Sequence, residues 1–518
     1  MIASLKRRIW GKMVGNDHIR RFFPESGWEG LLPRNEVEAT LRKCHKNPTP
    51  PGLVDFILNK ASKIFAILIT MRQPESILTF YKNDFGQERL PVEPTSVEKM
   101  LEGDGWESDS ISDFCDKQWW FTSPTFTKDK FKYEFVKCYH LPFTTTGKQA
   151  SLGASNYSTV EERSIHAGHI EPQVGQDEFG NVRVAIKKLL SLEQGPADQE
   201  AKVLEMMREL HTDHMIKAIA YYRYDGKHHF MFPWAEHGNL WEFWTKGQGP
   251  SLKKPYVIWA FTQLKGLAHA IEQLHDQKTC RHGDLKPENF LCFSKDHAER
   301  TRLRQVTHTK VSTKRYSAPE MDVNPGAPLS RRFDIWSMGC ILLEFVIWIL
   351  YGGEELIRCT EASVSTFYKV KRDEGERVVS VEVDPTVQGW ISSIRKDWRC
   401  ASGTALEKLI HLITDRLLVV NVKDPIESSP GVAEPEQPKA RAYASEMRER
   451  LESILTDMKA GSVSFRVNDA RRAACTGSLP YSQRACSTAI YFAKLLIANP
   501  GFSIGKEYVS NLASIRTK

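Results

Sequence analysis

Apolar positions recur along this chain with two spacings. After Thr49-Pro50-Pro51, the residues Ile57, Ala61, Ile64, Phe65 and Leu68 fall on one face of an amphipathic helix. Trp119, Trp120 and Phe121, followed by Pro124, predict a buried aromatic anchor. The runs Val182–Leu190 and His228–Trp234 are short, apolar and turn-bounded, which predicts strands. Over Tyr256–Leu274 the period returns to three or four, with Pro255 at the first helical position, where a missing N–H costs nothing. Residues 423–439 are rich in Pro, Glu and Ser and read as an exposed loop insertion. Ile490–Ala498 is expected to form a short helix.

No internal repeat is visible. The pattern predicts three zones: a mainly helical extension over 1–140, a mixed domain over 141–458, and a basic, weakly patterned tail over 459–518. Within the mixed domain, strands dominate to about residue 234 and helices from about 236 to 458.

Composition narrows the class. The 518 residues are 41% hydrophobic and 26% charged, which fits a soluble globular protein and excludes wholesale disorder. With 71 basic and 64 acidic side chains the net charge is +7. Spread over such a length it gives no reason to expect nucleic acid as a partner. The ten cysteines form no CxxC pair, so neither a zinc site nor a redox motif is expected, and reduced thiols suit a cytoplasmic or nuclear setting. Lys6, Arg7 and Arg8 have no apolar core behind them, so secretion is not expected. No run is expected to span a bilayer, since Cys340–Tyr351 is interrupted by Glu344.

The strongest chemical signal is Arg281-His282-Gly283-Asp284-Leu285-Lys286-Pro287-Glu288-Asn289. It resembles the catalytic loop of the eukaryotic protein kinases of serine/threonine type. Other segments resemble that family in the same order. Val184-Ala185-Ile186-Lys187 matches its phosphate-facing strand. Gly153–Val160 matches the glycine-rich loop at its first glycine and its valine, with Ser155 and Ser158 at the other glycine positions. Tyr316-Ser317-Ala318-Pro319-Glu320 matches the end of the activation segment, and Asp334-Ile335-Trp336-Ser337-Met338-Gly339 a later helix start. A narrower likeness, carried by Gln118–Phe121, Ser164–His166 and Phe232–Ala235, points to a fungal group with a helical N-terminal extension.

The resemblance implies an α+β, bilobal fold, with a small β-rich N-lobe and a large helical C-lobe after the helical extension. It implies ATP and Mg²⁺ as cofactors and a protein as substrate. Asp284 would orient the substrate hydroxyl, Lys286 would steady the transferring γ-phosphoryl, and Asn289 would hold Mg²⁺. Thr313 would lie close to Asp284. Lys187 would face the phosphates and pair with Glu200, or alternatively Glu205. Gly153, Val160, Ala185, Phe232, Ala235 and Leu291 would surround the nucleotide. Arg441 would pair with Glu320, and Asp334 would hold the backbone of the catalytic loop.

Two departures bear on activity. Gly283 replaces the arginine that normally receives an activation-loop phosphate, so loop phosphorylation is not expected as the switch. Between Asn289 and Glu320 there is no D-F-G or D-x-G, the source of the second Mg²⁺ ligand. Asp296 comes too soon after Asn289, and Arg300, Arg302 and Arg304 fill the region. Two readings follow. The chain is a kinase impaired by loss of that segment, through deletion or a misread gene boundary, or it is a nucleotide-binding pseudokinase acting as a scaffold or signalling module. A small-molecule phosphotransferase, which also uses H-G-D, is opposed by Ala318-Pro319-Glu320 and Asp334–Ser337.

Overall fold

The computed structural model describes residues 2–16, 19–44, 48–145, 148–149, 158–171, 176–177, 179–190, 194–247, 249–294, 313–323, 326, 328–361, 365–421, 440–463 and 488–492. The chain divides into two compact units. One holds Met1–Ala197 and Ala218–Trp234, the other Asp198–Lys217 and Ala235–Lys518.

The first unit joins a helical region to a sheet. Ile57, Ala61, Ile64, Phe65 and Leu68 are all buried in one apolar core with Leu5, Ile9, Val37 and Leu41. The periodicity therefore identifies the buried face. It does not identify one continuous helix, because the backbone breaks at Ala61 (φ −138°, ψ 25°) between the helices Leu53–Lys60 and Ser62–Met71. A break there lets each short helix turn its own stripe inward. Phe121 is buried in the same core, and Trp120 meets Trp10 edge to face at 5.5 Å.

The sheet has six strands in the order Lys132–Phe135, Ala220–Tyr224, Lys227–Pro233, Val182–Leu189, Ser158–Ile165 and Lys148–Gln149. All neighbours run antiparallel except the first pair, where Lys132–Phe135 lies parallel to Ala220–Tyr224. That edge strand comes from the stretch expected to be helical. Four residues are too few to announce a strand by alternation alone. The predicted strands at Val182 and His228 are central, and their register sets Ala185 opposite Phe232.

His169 ties the helical region to this sheet. It is fully buried, accepts the Glu25 N–H on Nε2 (2.9 Å) and faces the Pro124 carbonyl with Nδ1 (3.0 Å). Using both ring nitrogens this way requires the neutral tautomer with hydrogen on Nδ1. Burial accordingly lowers its pKa from 6.5 to about 4.

The second unit is mainly helical. The helix expected at Tyr256–Leu274 spans Lys254–Gln277, with Pro255 in its first turn. At the centre lies Arg332–Tyr351, buried along nearly its whole length. By length and composition it is apolar enough to cross a membrane, contrary to the expectation from Glu344, yet its apolar window is entirely buried within the protein. The short helix expected from Ile490 is overturned where it is described: Thr488–Phe492 is a strand paired with Phe290–Ser294. The predicted loop at 423–439 lies outside the described residues. A sheet-bearing unit with a helical N-terminal region, and a second helical unit, together match the α+β, bilobal expectation.

Candidate active site

The loop Arg281–Asn289 is held from beneath by one carboxylate. Asp334 is fully buried at the start of the central helix. Its oxygens accept the backbone N–H groups of His282 (2.6 Å) and Gly283 (2.7 Å), and His275 Nε2 lies 2.8 Å away. Burial pushes the pKa of Asp334 up, but the hydrogen bond and charge of His275, with the loop contacts, outweigh it and hold the carboxyl below its usual value. Gly283 has φ of +77°, the left-handed region where a side chain is strained. The sequence departure at this position thus fits the backbone that Asp334 holds.

The loop then presents three polar side chains together. Asn289 Nδ2 donates to the Asp284 carbonyl (2.6 Å) and to Asp284 Oδ2 (2.9 Å), and Lys286 Nζ stands 3.5 Å from that oxygen. Burial raises the Asp284 pKa, against the opposing effects of Lys286 and Asn289. A raised pKa makes a carboxylate a better proton acceptor. Asp284, Lys286 and Asn289 are thus brought together on this loop.

The other predicted residues divide between the two units. In the first, Lys187 is buried on Val182–Leu189 with its Nζ 5.9 Å from the Phe230 ring centre, and its register partner is Val160. Ala185 and Val160 are half-buried, and Phe232 is buried. In the second, Glu200 is buried on the helix Gln194–Arg208, whereas the alternative, Glu205, is exposed. Ala235 and Leu291 are half-buried, and Leu291 forms a β-bridge with Asn239. Gly153 and Asp296 lie outside the described residues, and Thr313 opens a short 3-10 turn.

Two further ion pairs brace this unit. Arg441 makes the expected bidentate contact with Glu320 (2.8 and 3.0 Å) and also donates to the Val419 and Arg332 carbonyls. Arg315 and Tyr316 both donate to Glu344 (3.2 and 2.9 Å), a buried network that sequence reasoning missed because its members are far apart in the chain. Glu288 was also missed as a feature of its own. Its two side-chain oxygens are buried without hydrogen-bond partners among the described residues, and burial raises its pKa from 4.5 to about 7. The one D-F-G tripeptide in the chain, Asp84–Gly86, follows the helix Ile77–Lys82 in the N-terminal region. There Phe85 packs on Phe80 and Asp84 pairs with Lys60.

Residues 175–393 match the family model of the protein kinase domain. Serine/threonine-protein kinase chk-2 of Caenorhabditis elegans is 36% identical over 107 residues, which cover 18% of this chain and 20% of that protein. Human cyclin-dependent kinase-like 5 is 29% identical over 177 residues, covering 31% and 17% respectively. Human dual specificity protein kinase CLK2 is 28% identical over 204 residues, covering 32% and 38%. The chain thus spans well under half the length of these relatives. The protein kinase similarity thus falls on the part of the chain that carries the carboxylate-anchored loop Arg281–Asn289.

Proposed function

We propose that this chain transfers the γ-phosphate of ATP to serine or threonine hydroxyls of protein substrates, inside the cell. The observation that carries this reading is the Asp284–Asn289–Lys286 group on a loop fixed by Asp334. Asp284, with its raised pKa, accepts the hydroxyl proton. Lys286 places a positive charge beside it, where phosphoryl transfer develops negative charge. Lys187 is the residue for the nucleotide phosphates, and the family resemblance assigns Glu200 a positioning role. The family resemblance assigns Val160, Ala185 and Phe232 of the first unit, and Ala235 and Leu291 of the second, to the nucleotide; Gly153, assigned likewise, lies outside the described residues.

The donor set fits one Mg²⁺. The Asn289 amide oxygen is a hard oxygen donor, and Mg²⁺ takes its remaining ligands from water and phosphate. No group of three His, Cys, Asp or Glu side chains suited to a metal occurs among the described residues. When bound, the ion neutralises phosphate charge. Radiolabelled ATP with a general protein substrate, comparing wild type with Asp284→Ala, tests the reading. Equal incorporation by the two proteins would sink it.

A second reading has its own observation, the lack of D-F-G between Asn289 and Glu320. It makes the chain a pseudokinase that binds nucleotide and works as a scaffold or signalling module. Thermal-shift titration with ATP, with and without Mg²⁺, separates the two: binding that ignores Mg²⁺ favours the pseudokinase.

A further inference from the structure

The strand Phe290–Ser294 begins directly after Asn289 and carries Leu291. On one side the Cys292 N–H donates to the Gly238 carbonyl (2.9 Å) and the His237 N–H to the Cys292 carbonyl (3.1 Å). The other side pairs antiparallel with Thr488–Phe492, in unbroken register from Phe290 opposite Phe492 to Ser294 opposite Thr488. Backbone groups alternate along a strand. Those of Cys292 are turned to residues 237 and 238, so those of Leu291 and Phe293 face the C-terminal strand. Cys292 and Ile490 are then a non-hydrogen-bonded pair.

Phe290 and Cys292 are fully buried, and an apolar strand with an open edge would invite pairing with other chains. We propose that Thr488–Phe492 is a tethered strand that docks in cis on this edge and, by holding the strand that continues from Asn289, positions Asn289 and Leu291 for the nucleotide. The occupant is this chain's own C-terminal segment, added as a strand is added in β-augmentation. The positioning half rests on the nucleotide reading above, and the docking half does not.

The first experiment uses the full chain carrying Ile490→Cys under mild oxidation. Directly opposite residues of an antiparallel pair have Cα atoms roughly 4.5–5.5 Å apart, within disulfide range. A disulfide to Cys292 within one chain is expected, identified by peptide mass. Ala489→Cys, opposite Phe293, is expected to link to Cys292 at least tenfold less. Equal linkage of both variants, or of neither, overturns the register. A link between two chains overturns docking in cis.

In the second experiment, Tyr491→Pro removes an N–H from the ladder. Amide exchange at Leu291 and Phe293 is expected to speed up at least tenfold, with Cys292 much less affected. Affinity for ATP with Mg²⁺ is expected to fall at least fivefold, while the oxidised Ile490→Cys protein keeps wild-type affinity. Faster exchange with unchanged affinity overturns the positioning role. If the wild-type chain binds no ATP, the nucleotide reading and the positioning role fail together, whereas crosslinking and exchange still decide the docking.

Discussion

The two units are fastened by different chemistry. In the first, the buried tie of His169 between Glu25 and Pro124 is neutral. In the second, carboxylates do the fastening, through Asp334 on the Arg281–Asn289 loop, Glu320 with Arg441, and Glu344 with Arg315. A neutral tie costs little to bury. A buried charge is costly unless fully satisfied, but then it fixes several backbone groups at once. The loop that must hold Asp284 and Asn289 in one geometry is anchored by the second kind.

The comparison breaks most visibly at Arg441. Arg441→Met leaves Glu320 without its bidentate partner, and loss of one member of such a pair costs roughly 3–5 kcal/mol. Denaturant unfolding of the helical unit should shift accordingly, and Glu320→Gln in the same chain should recover part of the loss. An unchanged midpoint would mean that the pair adds nothing to the unit. Asp334→Asn keeps the shape but removes the charge from a group facing two N–H donors and His275. The expected cost is about 3 kcal/mol, in line with hydrogen bonds to charged groups. Exchange at the His282 and Gly283 amides should rise with it, and protected amides in the variant would show that the loop holds itself.

These contacts also show what the sequence can carry. Asp334, Glu320 and Arg441 were legible because each belongs to a local run whose order matches a known family. His169 was not. A lone histidine looks alike whether solvated or buried, and its partners lie far away, at Glu25 and Pro124. The same cause explains Thr488–Phe492, where a local pattern suggested a helix and pairing with Phe290–Ser294 makes a strand. The break at Ala61 escaped for a different reason, since two short helices and one long one bury the same spacing of side chains.

The neutral tie predicts an acid response in the first unit. Folding holds His169 neutral, with a pKa of about 4 against the ordinary 6.5. The unfolded chain therefore binds the extra proton first, so this part of the stability is complete above pH 6.5 and is lost as the pH falls towards 4. The full shift corresponds to about 3 kcal/mol. Amide exchange at Glu25 should accelerate through that window in the wild type, and the acceleration should be blunted in His169→Gln. Equal acceleration in both would place the sensitivity elsewhere.

The smallest effect has the opposite sign and tests the rule from the other side. Glu288 is the buried carboxyl of the second unit whose oxygens find no hydrogen-bond partner among the described residues. Its folded pKa, about 7, lies above the ordinary 4.5, so the folded state keeps a proton that the unfolded state has released. Its contribution is complete below pH 4.5 and lost as the pH rises through 7. Glu288→Gln stays neutral throughout, although its amide brings new hydrogen-bonding demands. Wild type and variant should therefore differ least near pH 5 and separate above pH 7, with the variant gaining about 1–2 kcal/mol, the usual scale for an unmet buried polar group. Unfolding midpoints at the two pH values decide it. A variant that loses stability more at pH 8 than at pH 5 would mean that the carboxylate is partnered by a cation when ionised, and Glu288 would then join Asp334 and Glu344 among the charges that fasten this unit.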